Sequence, residues 1–151
     1  MINQNFKDWF RRTIFLGDGR KIVCFYFQGD GADDVSLFDE NHNVFCVDSD
    51  GHAIWQVRRD DSVRGDGWWE VLHAHARQIG EDGARRPFTY FVINYPDGSN
   101  NINPDTGSPP DHAIWTPGAT IWLMGSAYQK YILDPEMGIA TNVTKGNPRP
   151  W

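Results

Sequence analysis

The sequence is short of cysteine. Two cysteines, Cys24 and Cys46, in 151 residues cannot build the disulfide framework on which small secreted scaffolds rely. Each lies in an apolar run, which predicts two buried, reduced thiols. Long hydrophobic runs are missing too, and nothing approaches the roughly 18 apolar residues of a membrane-spanning helix. The opening Met-Ile-Asn-Gln-Asn-Phe-Lys-Asp-Trp-Phe-Arg-Arg lacks the ordered basic start, apolar stretch and small-residue cleavage site of a signal peptide. These absences predict a cytoplasmic protein that does not enter a membrane. Lysine is scarce, with four against ten Arg, and the formal charge is -6. The basic residues form pairs at most (Arg11-Arg12, Arg58-Arg59, Arg85-Arg86), with no stripe alternating with aromatics, which argues against nucleic acid as a partner. No Gly-x-Ser-x-Gly elbow, phosphate loop or dinucleotide fingerprint occurs, so no catalytic residue and no cofactor is indicated. Ser126, in Gly-Ser-Ala, lacks an elbow context.

Aromatic residues, by contrast, are plentiful: 14% of the chain, with seven Trp and nine Phe. Each large ring buries roughly 150–250 Å², so a modest apolar content can still fill a core. The length is that of a single domain, here 1–151.

Asp and Gly punctuate the chain at turn-like intervals. Thr13-Ile14-Phe15 and Lys21 to Phe27 flank a Gly-Asp-Gly turn and predict a hairpin. Gln28 to Asp34 is a polar loop, Val35 to Phe38 reads as a short strand, and Asp39 to His42 as a turn. Val44 to Val47 and Ala53 to Val57 flank Asp48-Ser49-Asp50-Gly51 as a second hairpin. Trp68 to Ile79 reads as a helix, with a strand as the alternative. As a helix it places Trp68, Leu72, Ala76 and Ile79 on one face and ends at Gly80. Phe88 to Ile93 is a strand, 94–111 a long polar loop and the most promising excursion, and the last third returns to strands. The expected fold is mainly β: an antiparallel sandwich, barrel or curled sheet of about nine to ten short strands, with the helix near 68–79.

His-Ala-Ile-Trp occurs at 52–55 and again at 112–115. Tyr131 to Gly138 and Val47 to Trp55 each resemble the blade hairpin of quinoprotein-type β-propellers, although the chain is too short for four blades. Across Asn43 to Val57 and Trp122 to Gly138 the chain resembles small uncharacterised bacterial β proteins. That resemblance implies a compact β fold and brings no activity.

Three groups of residues are candidates for function. His73-Ala74-His75 with Glu81 partly resembles the first metal-binding motif of cupins, which would make these residues metal ligands. The match departs from the motif: five residues precede Glu81, Phe88 stands where a Gly is expected, and no second motif follows. Asp48-Ser49-Asp50-Gly51 echoes an EF-hand loop, but Cys46 and Val57 stand where acids are needed, so a plain turn explains it. Asp33-Asp34, Asp60-Asp61 and Glu81-Asp82 read as solvated loop charges. The adjacent Trp68 and Trp69 cannot both face a core, so one of them is expected as a half-exposed partner contact. The leading expectation is a non-enzymatic protein-interaction protein, of immunity or antitoxin type. The alternatives are a cupin-like metal- or small-molecule-binding barrel and a carbohydrate-binding module.

Overall fold

A computed structural model describes residues 10–26, 35–125, 127–146 and 148–151. The expected loop over 28–34 with Asp33-Asp34, the chain start and Ser126 lie outside the described residues.

Strands β1 (Phe10–Phe15) and β2 (Lys21–Tyr26) form the first hairpin, whose turn carries Gly17 and Gly19 at positive φ. A short helix α1 (Leu37–Asn41) precedes the second hairpin, β3 (Val44–Val47) and β4 (Ala53–Gln56). One residue, Val57, then separates β4 from β5 (Arg58–Asp60). Helix α2 (Asp66–Ile79), β6 (Tyr90–Asn94), β7 (His112–Ile114), β8 (Thr120–Met124), β9 (Lys130–Leu133) and β10 (Ile139–Asn142) complete the order.

The ten strands among the described residues make two five-stranded sheets, ordered β4-β3-β2-β1-β7 and β5-β10-β9-β8-β6. Neighbours are antiparallel except β1 with β7 and β5 with β10. Neither sheet closes on itself, so the fold is a sandwich of short strands rather than a barrel. The chain changes sheet at Val57, which is buried and whose N–H donates to Val44 O at 2.9 Å. It crosses back over 95–111 to place β7 beside β1.

Alternation fills the space between the sheets. Ile14, Ile22, Cys24, Val44, Cys46 and Trp55 from one face meet Phe91, Ile93, Ile121, Leu123, Tyr131, Leu133 and Ala140 from the other. Both cysteines are buried there as free thiols. The opposite face of the first sheet holds a second cluster, Val23, Phe25, Phe45 and Val47.

One local expectation is corrected. Residues 37–41 are helical, not a strand and turn. Ser36 caps this helix, its hydroxyl accepting from Asp39 N–H at 3.1 Å, and Asp39 and Glu40 sit in the positive first turn. The loop after β6 is tied down by its asparagines: Asn101 Oδ1 accepts from Ile93 N–H at 2.8 Å, and bridges join Asn94 to Asn100 and Asn103 to Ser108. The two His-Ala-Ile-Trp copies are the two opposite edges of the first sheet, each with Ile outward (Ile54, Ile114) and Trp toward the core (Trp55, Trp115). Among the described residues no helix is long and apolar enough to cross a membrane.

Candidate functional site

Helix α2 gathers the residues that the sequence singles out. Trp68, Leu72 and Ala76 lie on one face and are buried with Ala84 in a satellite core beside the main one. Asp66 suits the positive N-terminal end, and Gly80, at φ 89°, returns its N–H to Ala76 O. Ile79 was expected in the buried stripe. It is half-exposed, because it is the last residue of the helix and extends past the side chains that cover the stripe.

The adjacent tryptophans separate as expected. Trp68 is buried and Trp69 partly buried against the same satellite core, the two rings meeting edge to face at 5.0 Å. Their side chains point about 100° apart around the helix, so each borders a different cleft. Trp69, with Arg58, Asp60, Ser62 and Ile139, lines one of about 460 Å³ beside β5, the edge strand of the second sheet. Trp68, with Val71, Pro148, Arg149 and Pro150, lines another of about 420 Å³. The guanidinium of Arg85 lies 5.4 Å from the Trp68 ring.

His73 and His75 are on the helix rather than on a strand, so they project in nearly opposite directions. His73 tilts against Trp69 at 5.8 Å, and His75 stacks on Trp151 at 3.7 Å. Glu81 is exposed beyond the helix end. These three residues are therefore not brought together. The one set of metal-type side chains that does converge among the described residues is Asp48, Asp50 and His52. Asp48 Oδ1 there already accepts from the N–H groups of Asp50 and His52, both at 2.9 Å, as a turn-forming Asp does.

Beneath α2 lies a charged network that the sequence did not disclose. Asp61 is a correction to its reading as a solvated loop charge: it is 4% exposed. Its carboxylate accepts from Arg85 Nη1 at 2.8 Å, the Tyr131 hydroxyl at 2.9 Å and Asn142 Nδ2 at 2.9 Å. Arg85 Nη2 also donates to the Tyr131 oxygen at 2.6 Å, and Gln129 Oε1 lies 3.1 Å from that oxygen. Burial, reinforced by Asp61 against the opposing pull of Arg85, pushes Tyr131 up to about 12, so it stays a neutral donor. Arg59 packs over the Phe88 ring at 4.3 Å and donates to Asn41 O and Arg86 O. Burial and then Arg85 push it down to about 10, still a cation at neutral pH. The partners of Asp61 stand 24, 70 and 81 residues away in sequence, and no local pattern links them.

The thiols offer no nucleophile. Burial pushes Cys24 up to about 12 and Cys46 up to about 11, leaving both protonated at neutral pH. Glu81 and Asp82 are exposed, as expected of loop charges.

The arrangement offers an indole wall, a guanidinium and a carboxylate around an open cleft, on a helix whose Trp68 packs against Arg85 of the ionic network. In comparisons with known proteins, no family model matches the chain, and neither a curated protein nor a solved structure matches it.

Proposed function

We propose that the chain is a non-catalytic binding protein that receives a protein partner in the cleft between α2 and β5. The observation that carries this reading is Trp69: partly buried, so held at the cleft wall, and lining it with Arg58, Asp60 and Ile139. Trp and Arg dominate interface hot spots, because each combines large contact area with directed polar groups. A cleft of about 460 Å³ accepts one large apolar side chain of the partner against Trp69 and Ile139. Arg58, exposed and outside any ion pair among the described residues, supplies a donor for an acidic neighbour of that anchor. The adjacent edge strand adds backbone groups to the same surface. In this reading the chain acts in the manner of a bacterial immunity or antitoxin factor, which the resemblance to small bacterial β proteins supports.

The test is capture from host lysate with the wild-type chain and with Trp69→Ala. One stoichiometric partner that survives salt, and is lost with Trp69→Ala, supports the reading. A partner retained equally by both proteins refutes the site.

A second reading rests on the polar groups around the same ring. Trp69 with Arg58, Asp60 and Ser62 offers a stacking face flanked by hydrogen-bonding side chains, which also suits a sugar. Tryptophan fluorescence that responds to one glycan of a panel, and fails to respond in Trp69→Ala, supports it; a flat response across the panel rejects it.

A further inference from the structure

The N-terminal end of α2 borders the cleft that Trp68 lines, and its first backbone donors are uncapped. Gly65, the N-cap, offers no side chain, and its carbonyl accepts from Trp68 N–H at 3.1 Å and Trp69 N–H at 3.3 Å. The N–H groups of Asp66 and Gly67 have no acceptor among the described residues. The Asp66 carboxylate is exposed and does not fold back to occupy them. A helix end alone does not make a site, but a second observation is independent of it. Trp68 is 7% exposed, yet its indole N–H is enclosed without a hydrogen-bond partner among the described residues. Buried indole N–H groups ordinarily find an acceptor, because leaving the bond unmade is costly. Side chains on a helix lean toward its N-terminus, which brings this donor to the same end as the free backbone N–H groups.

The cleft has both charge and room. Arg149 lines it, and only its Nε is committed, donating to Trp151 O at 2.8 Å, so its two terminal amino groups are free among the described residues. The volume of about 420 Å³ is that of a small-molecule site. The remaining walls are apolar: Val71 and the Trp68 ring on the helix side, Pro148 and Pro150 opposite. Free N–H donors at the positive end of a helix, beside a guanidinium, select an anion over a neutral acceptor. The apolar walls select an anion that carries an apolar group.

We propose that this cleft binds a small monocarboxylate with an apolar tail. Its carboxylate accepts from Gly67 N–H, the Trp68 indole N–H and the Arg149 guanidinium, and its tail lies between Val71 and the two prolines. The irregular segment 148–150 is the wall that yields to admit the ligand and uncover the indole N–H. The site is independent of the Trp69 cleft, so failure of either proposal leaves the other standing.

The test uses the whole chain labelled with nitrogen-15, with phenylacetate as the probe and its neutral amide, phenylacetamide, as the control. Proton–nitrogen correlation spectra read the indole signal of Trp68, assigned with Trp68→Phe, and the amide signal of Gly67. The expected result is a saturable shift of both signals with phenylacetate, several-fold weaker with phenylacetamide. Gly65→Ser supplies a hydroxyl that accepts from the first-turn N–H groups in the ligand's place, so it weakens phenylacetate binding several-fold while the fold stays intact, as checked by an undiminished Tm. Arg149→Gln, at an exposed position, weakens it as well. Absence of saturable shifts, an equal response to phenylacetamide, or an affinity unchanged in both Gly65→Ser and Arg149→Gln would each overturn the proposal.

Discussion

Trp55 shows how one residue joins the two sheets. Its indole N–H donates to Pro135 O at 3.0 Å, and its ring lies directly over Gly138. A Cβ at position 138 would stand 2.5 Å from ring carbons Cδ2 and Cε3, and φ there is +74°. Two separate constraints therefore demand glycine: the left-handed backbone and the close approach of the ring. Gly138→Ala is expected to cost roughly 2–4 kcal/mol, read as a fall in the urea midpoint. Gly98→Ala has the same φ sign but open space around it, and is expected to cost about 1 kcal/mol. Asn43, fully buried, acts similarly: its amide donates to Phe25 O and Phe88 O and accepts from Phe88 N–H at 2.9 Å. Asn43→Ala removes all three bonds, takes from the buried Phe88 N–H its side-chain acceptor, and is expected to cost roughly 1–3 kcal/mol in the same assay. The Asp-Pro-Glu-Met-Gly turn was legible in the sequence as a turn. That its glycine makes room for a tryptophan 83 positions earlier was not, since no spacing rule connects residues 55 and 138.

Periodicity was the most reliable guide to the elements. Helix α2 and most strands are visible in it because their apolar residues recur at 3.6 or 2.0. Two elements escaped it, both too short for a period to show: β5, with three residues, and α1, with five. The informative signal for α1 was the cap, Ser36 followed three residues later by Asp39, which outweighed the β-leaning Val-Ser-Leu-Phe composition. The tryptophan pair was legible for a different reason: neighbouring side chains on any regular element diverge, so one of two adjacent rings must face outward. Which one was not legible, because that depended on the position of the satellite core. The start of α2 also carries a prediction. Gly65 is its N-cap, extended at φ -79°, with no capping side chain and nothing within 4 Å of an added Cβ. Gly65→Ser adds a cap and stiffens the unfolded chain, and is expected to stabilise the fold by ~0.5–1 kcal/mol, seen as a raised Tm.

For the whole molecule, buried ionisable groups set the alkaline limit of stability. The ordinary thiol value is 9.0, and Cys24 and Cys46 stand well above it when folded, at about 12 and about 11. Below pH 9 both thiols are protonated whether the chain is folded or not, and their contribution is fully present. Above pH 9 the unfolded thiols ionise first, so stability falls as pH rises toward the folded values, by about 1.4 kcal/mol per pH unit for Cys24. Tyr131 adds to the loss between its ordinary 10.0 and about 12. Arg59 opposes it over the part of this range above pH 10, because its folded value lies below its ordinary one. The urea midpoint is expected to drop steadily from pH 9 to 11, and less steeply in Cys24→Ser.

A mainly β fold of short strands was legible from aromatic runs separated by Asp-Gly turns, but the choice of a sandwich over a barrel or a curled sheet was not. The order of the strands and the ionic network were not, since both depend on partners far apart in the chain. That network reaches α2 through Arg85, which packs on Trp68 beside Trp69. The central claim is that this cleft is where a partner binds. Its most direct test is photo-crosslinking in host lysate, with a photoreactive residue replacing the exposed Ser62 at the cleft rim and, in a control protein, the exposed Thr106 on the distant loop. The account predicts one discrete adduct from position 62, abolished by Trp69→Ala, and none from position 106. Equal labelling from both positions, or none from position 62, would contradict it.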